Sequence, residues 1–331
     1  LSLHDALPIF VEISKNHDVN KLKFDPSSVN SADYDLLMSA FGEEKMTDNV
    51  GGLVPFHSSK NQNEIAAMDE SFALADKAIF ETIKWTKNAV KEGKRISELD
   101  FYNKTNEIYK DHGAKAQSFN TISAVGANAS FIHFSSPSAD IPVVENEMLL
   151  LDSGAYFESG YATDTTRTFF VGDTPNAKQV EIYTLVLKGL LQAENAVFPE
   201  GTWGCAIDSL ARMGMRQMGY DYAHGTGHGV GINVHEGGFR ASPTSDTPIL
   251  ENVAGSLEPG IYLPGFGGVR LENIVLSEKH PKLKGMLRFR TFVYIGYDHD
   301  LIDRSLLTKD EEVWLDEYEE ECKKRGTSFL S

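Results

Sequence analysis

Residues 223–238, AHGTGHGVGINVHEGG, carry three of the chain's ten histidines, His224, His228 and His235, among six glycines. Imidazole is both a metal ligand and an acid–base group near neutral pH, so the spacing of these residues carries chemical meaning. His224 and His228 stand four apart, which on a helix would put both on one face. Gly225, Gly227, Gly229 and Gly231 share that span, and each would cost a helix about 1 kcal/mol. An extended segment fits better. His224, Thr226, His228, Val230 and Ile232 then share one side, and the glycines opposite admit a second backbone or a ligand. Such a surface suits a metal ion or a polar substrate.

Carboxylates elsewhere strengthen the metal reading. Asp152 closes the apolar run 148–151, Asp164 opens TTRTFFV, Glu258 lies in SLEPG and Glu272 in VRLENIVL. Each interrupts or ends a segment that otherwise reads as buried strand. A buried, unpaired carboxylate costs several kcal/mol, and a shared dication would offset four at once. Two aspartates, two glutamates and one histidine, His228, make a hard, oxygen-rich set. It favours Mn, Co, Fe or Zn in a pair of sites over a structural zinc, which prefers thiolates. The only cysteines, Cys205 and Cys322, stand away from these residues and read as reduced thiols of a cytoplasmic protein.

Taken in order, LLLDSGAYF, ATDTTRTF, HGTGHGVG, VHEG, LEPGIY and VRLENIV resemble the signature blocks of the pita-bread metallopeptidases. The likeness runs from about Asn61 to about Leu315. It is nearest to the aminopeptidase P (Xaa-Pro aminopeptidase) family and next to the prolidases. The resemblance implies two divalent ions per subunit, Mn first, with Co or Zn as alternatives. Asp152 would hold one ion, His228 and Glu258 mainly the other, and Asp164 and Glu272 would bridge. It implies cleavage of the N-terminal Xaa-Pro bond by metal-activated hydroxide, with Glu258 moving the proton and His224 supporting the tetrahedral intermediate. His133, also in the catalytic group, and His235 would line the substrate pocket; Arg270 would orient carboxylates or substrate. Two local distortions are required. The loop from Asp152 to Asp164 is one residue longer than the commonest family form, so GYAT should bulge. In an ideal strand His235 would point away from His228, so the chain must bend between them. The competing readings are a prolidase cutting Xaa-Pro dipeptides, a methionine aminopeptidase, and a non-catalytic pita-bread module that binds peptides or proteins. HExxH, GxSxG and P-loop patterns do not occur in the sequence.

The elements that must position these residues follow from periodicity. Ile65, Met68, Phe72, Ala75, Ile79 and Ile83 recur every three or four residues, predicting a helix over 61–91 that Gly93 ends. Ser97 and Asp100 form a capping-box pattern for a second helix that Gly113 stops. Residues 119–135 read as extended. Residues 148–152 and 163–171 read as paired strands around a loop holding Gly160. The order repeats: a helix over 176–197, a turn at Pro199-Glu200-Gly201, a helix over 205–218, then strands, with 265–268 as a turn between ligand-bearing strands. Helix–helix–strands therefore occurs twice, which gives the α+β class. Two pseudo-duplicated halves with helices over a curved antiparallel sheet are what the resemblance adds. Residues 308–325 predict a closing charged helix with acids first and bases last.

The catalytic domain is expected to span 56–331. Residues 1–55 read as the remnant of a preceding domain, with a short strand at 21–24, a turn at Asp25-Pro26, and 1–9 foreign to it. Of the 331 residues, 31 are Lys or Arg and 48 Asp or Glu, giving 31 − 48 = −17. That balance disfavours nucleic acid and anionic membrane as partners, and no apolar run reaches the length of a membrane span. The expected partners are peptides with proline second, and the resemblance implies a homodimer.

Overall fold

The computed structural model describes residues 3–26, 29–52 and 54–330. Contacts divide the chain into two compact units, Leu1–His57 and Ser58–Ser331. The first unit contains α1 (Leu3–Ser14), β1 (Leu22–Phe24), α2 (Ser31–Phe41) and β2 (Met46–Asp48). β1 and β2 pair in parallel, and Phe24, Leu37 and Phe41 form a small core with Val11 and Leu22. Leu1 and Ser2 lie outside the described residues; from Leu3 the segment expected to be foreign is helical. A short helix, α3 (Val54–Ser58), follows.

In the second unit α4 (Gln62–Lys91) starts at Asn61, whose side chain accepts from the amides of Asn63 and Glu64 while Glu64 reaches back to the Asn61 amide. The expected Ser97–Asp100 capping box opens α5 (Glu98–Asp111). Strands β3 (Ala116–Gln117), β4 (Ile122–Val125), β5 (Glu147–Ser153), β6 (Ala155–Tyr156) and β7 (Thr165–Val171) follow. β4, β5 and β7 form an antiparallel sheet in that order. Between β5 and β7 the chain turns through Ala162 and Thr163, which bond back toward Tyr156 and Ala155.

The second repeat begins with α6 (Ala177–Glu194), β8 (Val197–Pro199) and α7 (Gly204–Gln217). The helix predicted to reach residue 197 stops at Glu194. Phe198 precedes a proline, which disfavours helical backbone there, and Val197–Pro199 instead pairs with Arg288–Met286. β9 (Gly227–Gly229), β10 (Glu236–Ala241), β11 (Ala254–Leu257), β12 (Gly260–Leu263), β13 (Gly267–Arg270), β14 (Asn273–Lys279) and β15 (Met286–Thr291) complete the strands. They build a six-stranded sheet, ordered β10-β9-β11-β14-β15-β8, beside the β12–β13 hairpin. α8 (Lys309–Arg325), capped by Thr308 and Glu311, closes the chain.

Helices α4 and α5 pack on the first sheet, with Phe101 edge-on to Phe169 at 5.8 Å. Helices α6 and α7 share a core with strands β10 to β15. Buried side chains such as Met68, Phe72, Leu187 and Leu190, all at 0 % exposure, each contribute about 1.5–3 kcal/mol. Arg167, 1 % exposed, joins the sheets. Its guanidinium donates to the carbonyls of Thr166, Glu272 and Ile295, to the Asn273 side chain and to the Tyr318 hydroxyl on α8. This bracing holds β7 against the β13–β14 junction, where the candidate site lies.

Candidate metal centre

Each ligand candidate sits at or next to a strand end. Asp152 is on β5, opposite Thr166 of β7. Asp164 immediately precedes β7, Glu258 follows β11, and Glu272 lies between β13 and β14. His228 is the middle residue of β9. The glycines flanking it permit the packing: a Cβ on Gly227 would fall 1.8 Å from the Ser256 carbonyl, and one on Gly229 2.5 Å from that of Glu236.

These strands bring one ligand atom each of Asp164, His228 and Glu272 within 4.8 Å of one another. His228 Nε2 is 3.5 Å from Asp164 Oδ2 and 3.5 Å from Glu258 Oε1. Thr166 Oγ1 donates to Glu272 Oε2 at 2.9 Å, and Ser256 Oγ donates to Glu258 Oε1 at 3.3 Å. Asp152 accepts from Arg270 Nη2 at 2.6 Å through Oδ2, while its Oδ1 is buried without a hydrogen-bond partner.

The electrostatics are those of a site short of positive charge. Burial, followed by the charges of Glu272, Asp152 and Glu258, pushes the Asp164 carboxyl well above the carboxylate range. Glu272 rises for the same reasons, with Glu258 the leading neighbour. Burial pushes Glu258 up to about 8, against the opposing pull of Arg270. Burial also lowers His228 to about 4, so its imidazole is neutral at pH 7. The His228 Nδ1 proton is committed to the Gly229 carbonyl at 3.2 Å. Its Nε2 therefore faces the Asp164 and Glu258 oxygens with a lone pair, so any hydrogen between them belongs to a carboxyl that burial has raised, and a cation would take that hydrogen's place. The orphaned Asp152 Oδ1 and four carboxylates against one arginine point the same way. The donor set fits divalent metal ions.

Above this floor lies a cavity of about 520 Å³, whose walls include His133, His224, His235 and Arg270. The bend expected between His228 and His235 is present: the chain leaves β9 at Gly229 and turns, with the Gly231 amide donating to the Asn233 carbonyl, before β10 starts at Glu236. The His235 ring then lies 4.2 Å from that of His228, at right angles. His224 is neutral, lowered to about 4 mainly by burial. Its Nδ1 donates to the Gly225 carbonyl at 2.7 Å, and its Nε2 accepts from the Tyr262 hydroxyl at 2.9 Å. That hydroxyl in turn accepts from Arg270 Nη1 at 2.9 Å. Arg270, 2 % exposed, thus links Asp152, Tyr262 and, through the Ile132 carbonyl at 3.3 Å, the segment bearing His133.

Two features differ from the sequence reading. The extended stretch around the histidines shortens to Gly227–Gly229. Its alternate residues do not share one face: the Thr226 hydroxyl donates to buried Asp208 of α7, Val230 enters the core, and Ile232 is 61 % exposed. Sequence reasoning also missed Tyr262, Thr166 and Ser256. A hydroxyl inside a strand beside a ligand block was the available signal.

Helix pairs over antiparallel sheets, with an oxygen-rich donor set where the sheets meet, define the pita-bread class of metallopeptidase folds. Residues 66–279 match the model of metallopeptidase family M24, and residues 285–331 match the C-terminal region of that peptidase. The chain belongs to metallopeptidase family M24. It is 38 % identical over 320 residues to a probable Xaa-Pro aminopeptidase P of Arthroderma gypseum, covering 91 % of this chain and 49 % of the relative. It is 35 % identical over 348 residues to one from Coccidioides posadasii, covering 100 % of this chain and 52 % of the relative. The chain spans about half the length of these relatives. Among solved structures, an X-prolyl aminopeptidase from Caenorhabditis elegans, described as a cytosolic enzyme with a di-nuclear active site, superposes with a TM-score of 0.84. That match has 29 % identity and covers 97 % of this chain and 53 % of the other. A Xaa-Pro dipeptidase from Bacillus anthracis superposes with a TM-score of 0.76 at 27 % identity, covering 88 % of this chain and 77 % of the other.

Proposed function

We propose that the chain is a metal-dependent aminopeptidase that removes the N-terminal residue from peptides with proline in second position. The observation that carries this reading is His228 Nε2 held 3.5 Å from both Asp164 and Glu258, with a Glu272 oxygen in the same cluster. Asp152, Asp164, His228, Glu258 and Glu272 would hold two divalent ions, with Mn first and Co or Zn as alternatives. Bound there, such ions supply Lewis acidity toward a carbonyl and lower the pKa of water. The chain's own residues do the rest. Glu258, at the floor of the cavity 3.5 Å from His228 Nε2, would take a proton and return it to the leaving nitrogen. Arg270 keeps Asp152 in place. His224 positions the Tyr262 hydroxyl, and that hydroxyl, turned from His224, would present its proton to the tetrahedral intermediate. His133 and His235 line the walls that receive the proline ring. The similarity to Xaa-Pro aminopeptidases supports the proline preference, and a homodimer is what the resemblance of the signature blocks implies. A cytoplasmic setting agrees with the description of the C. elegans protein and with the lack, among the described residues, of a helix long and apolar enough to cross a membrane. We read Leu1–His57, with its own small core, as part of a domain preceding the catalytic one.

The test is turnover of an Xaa-Pro-Xaa peptide after EDTA, with Mn, Co and Zn restored separately. Recovery with one of them is expected. A chain that binds metal yet cleaves neither this peptide nor an Xaa-Pro dipeptide would be a binding module instead.

A further inference from the structure

We propose that Asp208 and Arg212 of α7 are positioning residues for the reaction: together they fix the backbone that carries His224, and through His224 the Tyr262 hydroxyl. This rests on reading His224 as part of a peptide-hydrolysing site. Asp208 and Arg212 stand four apart and so share one face of the helix. Both are 1 % exposed, and neither lines the cavity. Arg212 Nε donates to both Asp208 oxygens, at 2.9 and 2.8 Å. An apolar pair of the same volume often packs at least as well as a buried ion pair, so what this one holds is informative.

Its remaining hydrogen bonds all go to the segment 221–226. Arg212 Nη1 donates to Asp221 Oδ1 and to the Tyr222 carbonyl, each at 2.7 Å, and Nη2 donates to the His224 carbonyl at 2.6 Å. The guanidinium lies 3.6 Å from the centre of the Tyr222 ring, and that ring lies 4.8 Å from the ring of His224. Asp208 Oδ1 accepts from Thr226 Oγ1 at 2.6 Å, and Thr226 Oγ1 accepts in turn from the Tyr222 hydroxyl. Residues 222, 224 and 226 are thus tied to one planar fork and its carboxylate, a span that a single ammonium cannot cover. They need such ties, because β9 begins only at Gly227 and no strand ladder reaches them. The platform is itself seated closely: a Cβ on Gly189 of α6 would fall 2.3 Å from the Ala211 carbonyl of α7. From this base the His224 ring is aimed by its bonds to the Gly225 carbonyl at 2.7 Å and the Tyr262 hydroxyl at 2.9 Å.

The experiment measures hydrolysis of Ala-Pro-Ala by the metal-loaded full chain as wild type, Arg212→Lys, His224→Ala and the double variant, with bound metal determined for each. Lysine keeps a charge beside Asp208 but cannot hold both carbonyls. Arg212→Lys should retain its metal and lose about tenfold to a hundredfold in kcat, with KM within about threefold of wild type. In the His224→Ala background the same substitution should cost less than about twofold, because the two residues act as a unit. A kcat within about twofold of wild type, a loss matched by lost metal, or a loss that recurs in full without the His224 ring overturns the positioning role. Should Arg212→Lys fail to fold, Thr226→Val, which cuts the Asp208 anchor and leaves the fork, is held to the same comparison. If no protein cleaves the peptide, or His224→Ala turns over like wild type, the reading of the site fails by itself. Nitrogen NMR of the histidines in the metal-free chain then decides, with the His224 signals identified by their loss in His224→Ala. A ring fixed with its proton on Nδ1 in the wild type and averaged between tautomers in Arg212→Lys supports the proposal, and the same fixed ring in both overturns it.

Discussion

Asp76 offers a prediction whose size and sign follow from its surroundings. It lies on α4 at 2 % exposure. One carboxyl oxygen accepts from the Tyr294 amide at 2.8 Å, and the other is buried without a partner. Burial outweighs that hydrogen bond and the distant charges of Arg167 and Arg325, raising the carboxyl from 3.8 to about 7. Burial, and with it the charge of an ionised Asp76, keeps the Tyr109 phenol and the Cys322 thiol protonated, so neither supplies a counter-charge. A gap from 3.8 to about 7 corresponds to about 4 kcal/mol, at 1.36 kcal/mol per tenfold change in proton concentration. Between those pH values the folded chain holds a proton that the unfolded chain has released. Stability therefore falls as pH rises through the window, and the full cost is present above pH 7. Asp76→Asn removes the ionisation and keeps an oxygen for the Tyr294 amide. Urea unfolding of both proteins, followed by tryptophan fluorescence with EDTA present throughout, should show the variant gaining on the wild type as pH rises. The gain should approach about 4 kcal/mol from pH 4 to pH 8. A difference that stays constant over that range, or runs the other way, would refute the reasoning.

Four further outcomes are expected. Glu258→Gln should keep bound metal yet lose about 10²–10⁴ in kcat; full activity with metal retained would remove its proton role. Either His224→Ala or Tyr262→Phe should cost about 10²–10³ in kcat, and wild-type turnover in both would dissolve the pairing proposed for them. Asp164→Asn and Glu272→Gln should each lower the metal retained after gel filtration, measured by elemental analysis, whereas unchanged stoichiometry would displace them from the ligand set. Arg167→Met takes the donor from the Glu272 carbonyl and the Asn273 oxygen, whereas the Thr166 and Ile295 carbonyls keep the Glu272 amide and the Tyr318 hydroxyl. At about 1–3 kcal/mol each, that consumes much of the 5–15 kcal/mol that typically holds a domain folded, so thermal melting should fall steeply and a Tm near that of wild type would count against the bracing role.

The parts of the site legible in the sequence are those where a residue contradicts its neighbours. Asp152 ends an apolar run, Glu272 interrupts another, and the histidines sit among glycines that no helix tolerates. Such contradictions are local, and so are the capping box at Ser97 and the strand pair expected at 148–152 and 163–171, which forms at 147–153 and 165–171. What escaped was set by register over long separations. Tyr262 gains its meaning from Arg270 and His224, and Thr166 from Glu272, through contacts between segments that periodicity treats separately. The shared face assumed for residues 224–232 failed because only Gly227–Gly229 pairs as strand, leaving Thr226 and Val230 free to turn toward α7 and the core. Residue type reveals that His228 can bind a metal, but not which nitrogen is available. That follows from the Gly229 carbonyl, which takes the Nδ1 proton and turns the Nε2 lone pair toward Asp164 and Glu258. A backbone atom, invisible to any pattern of side chains, thus orients the imidazole as the proposed ligand set requires.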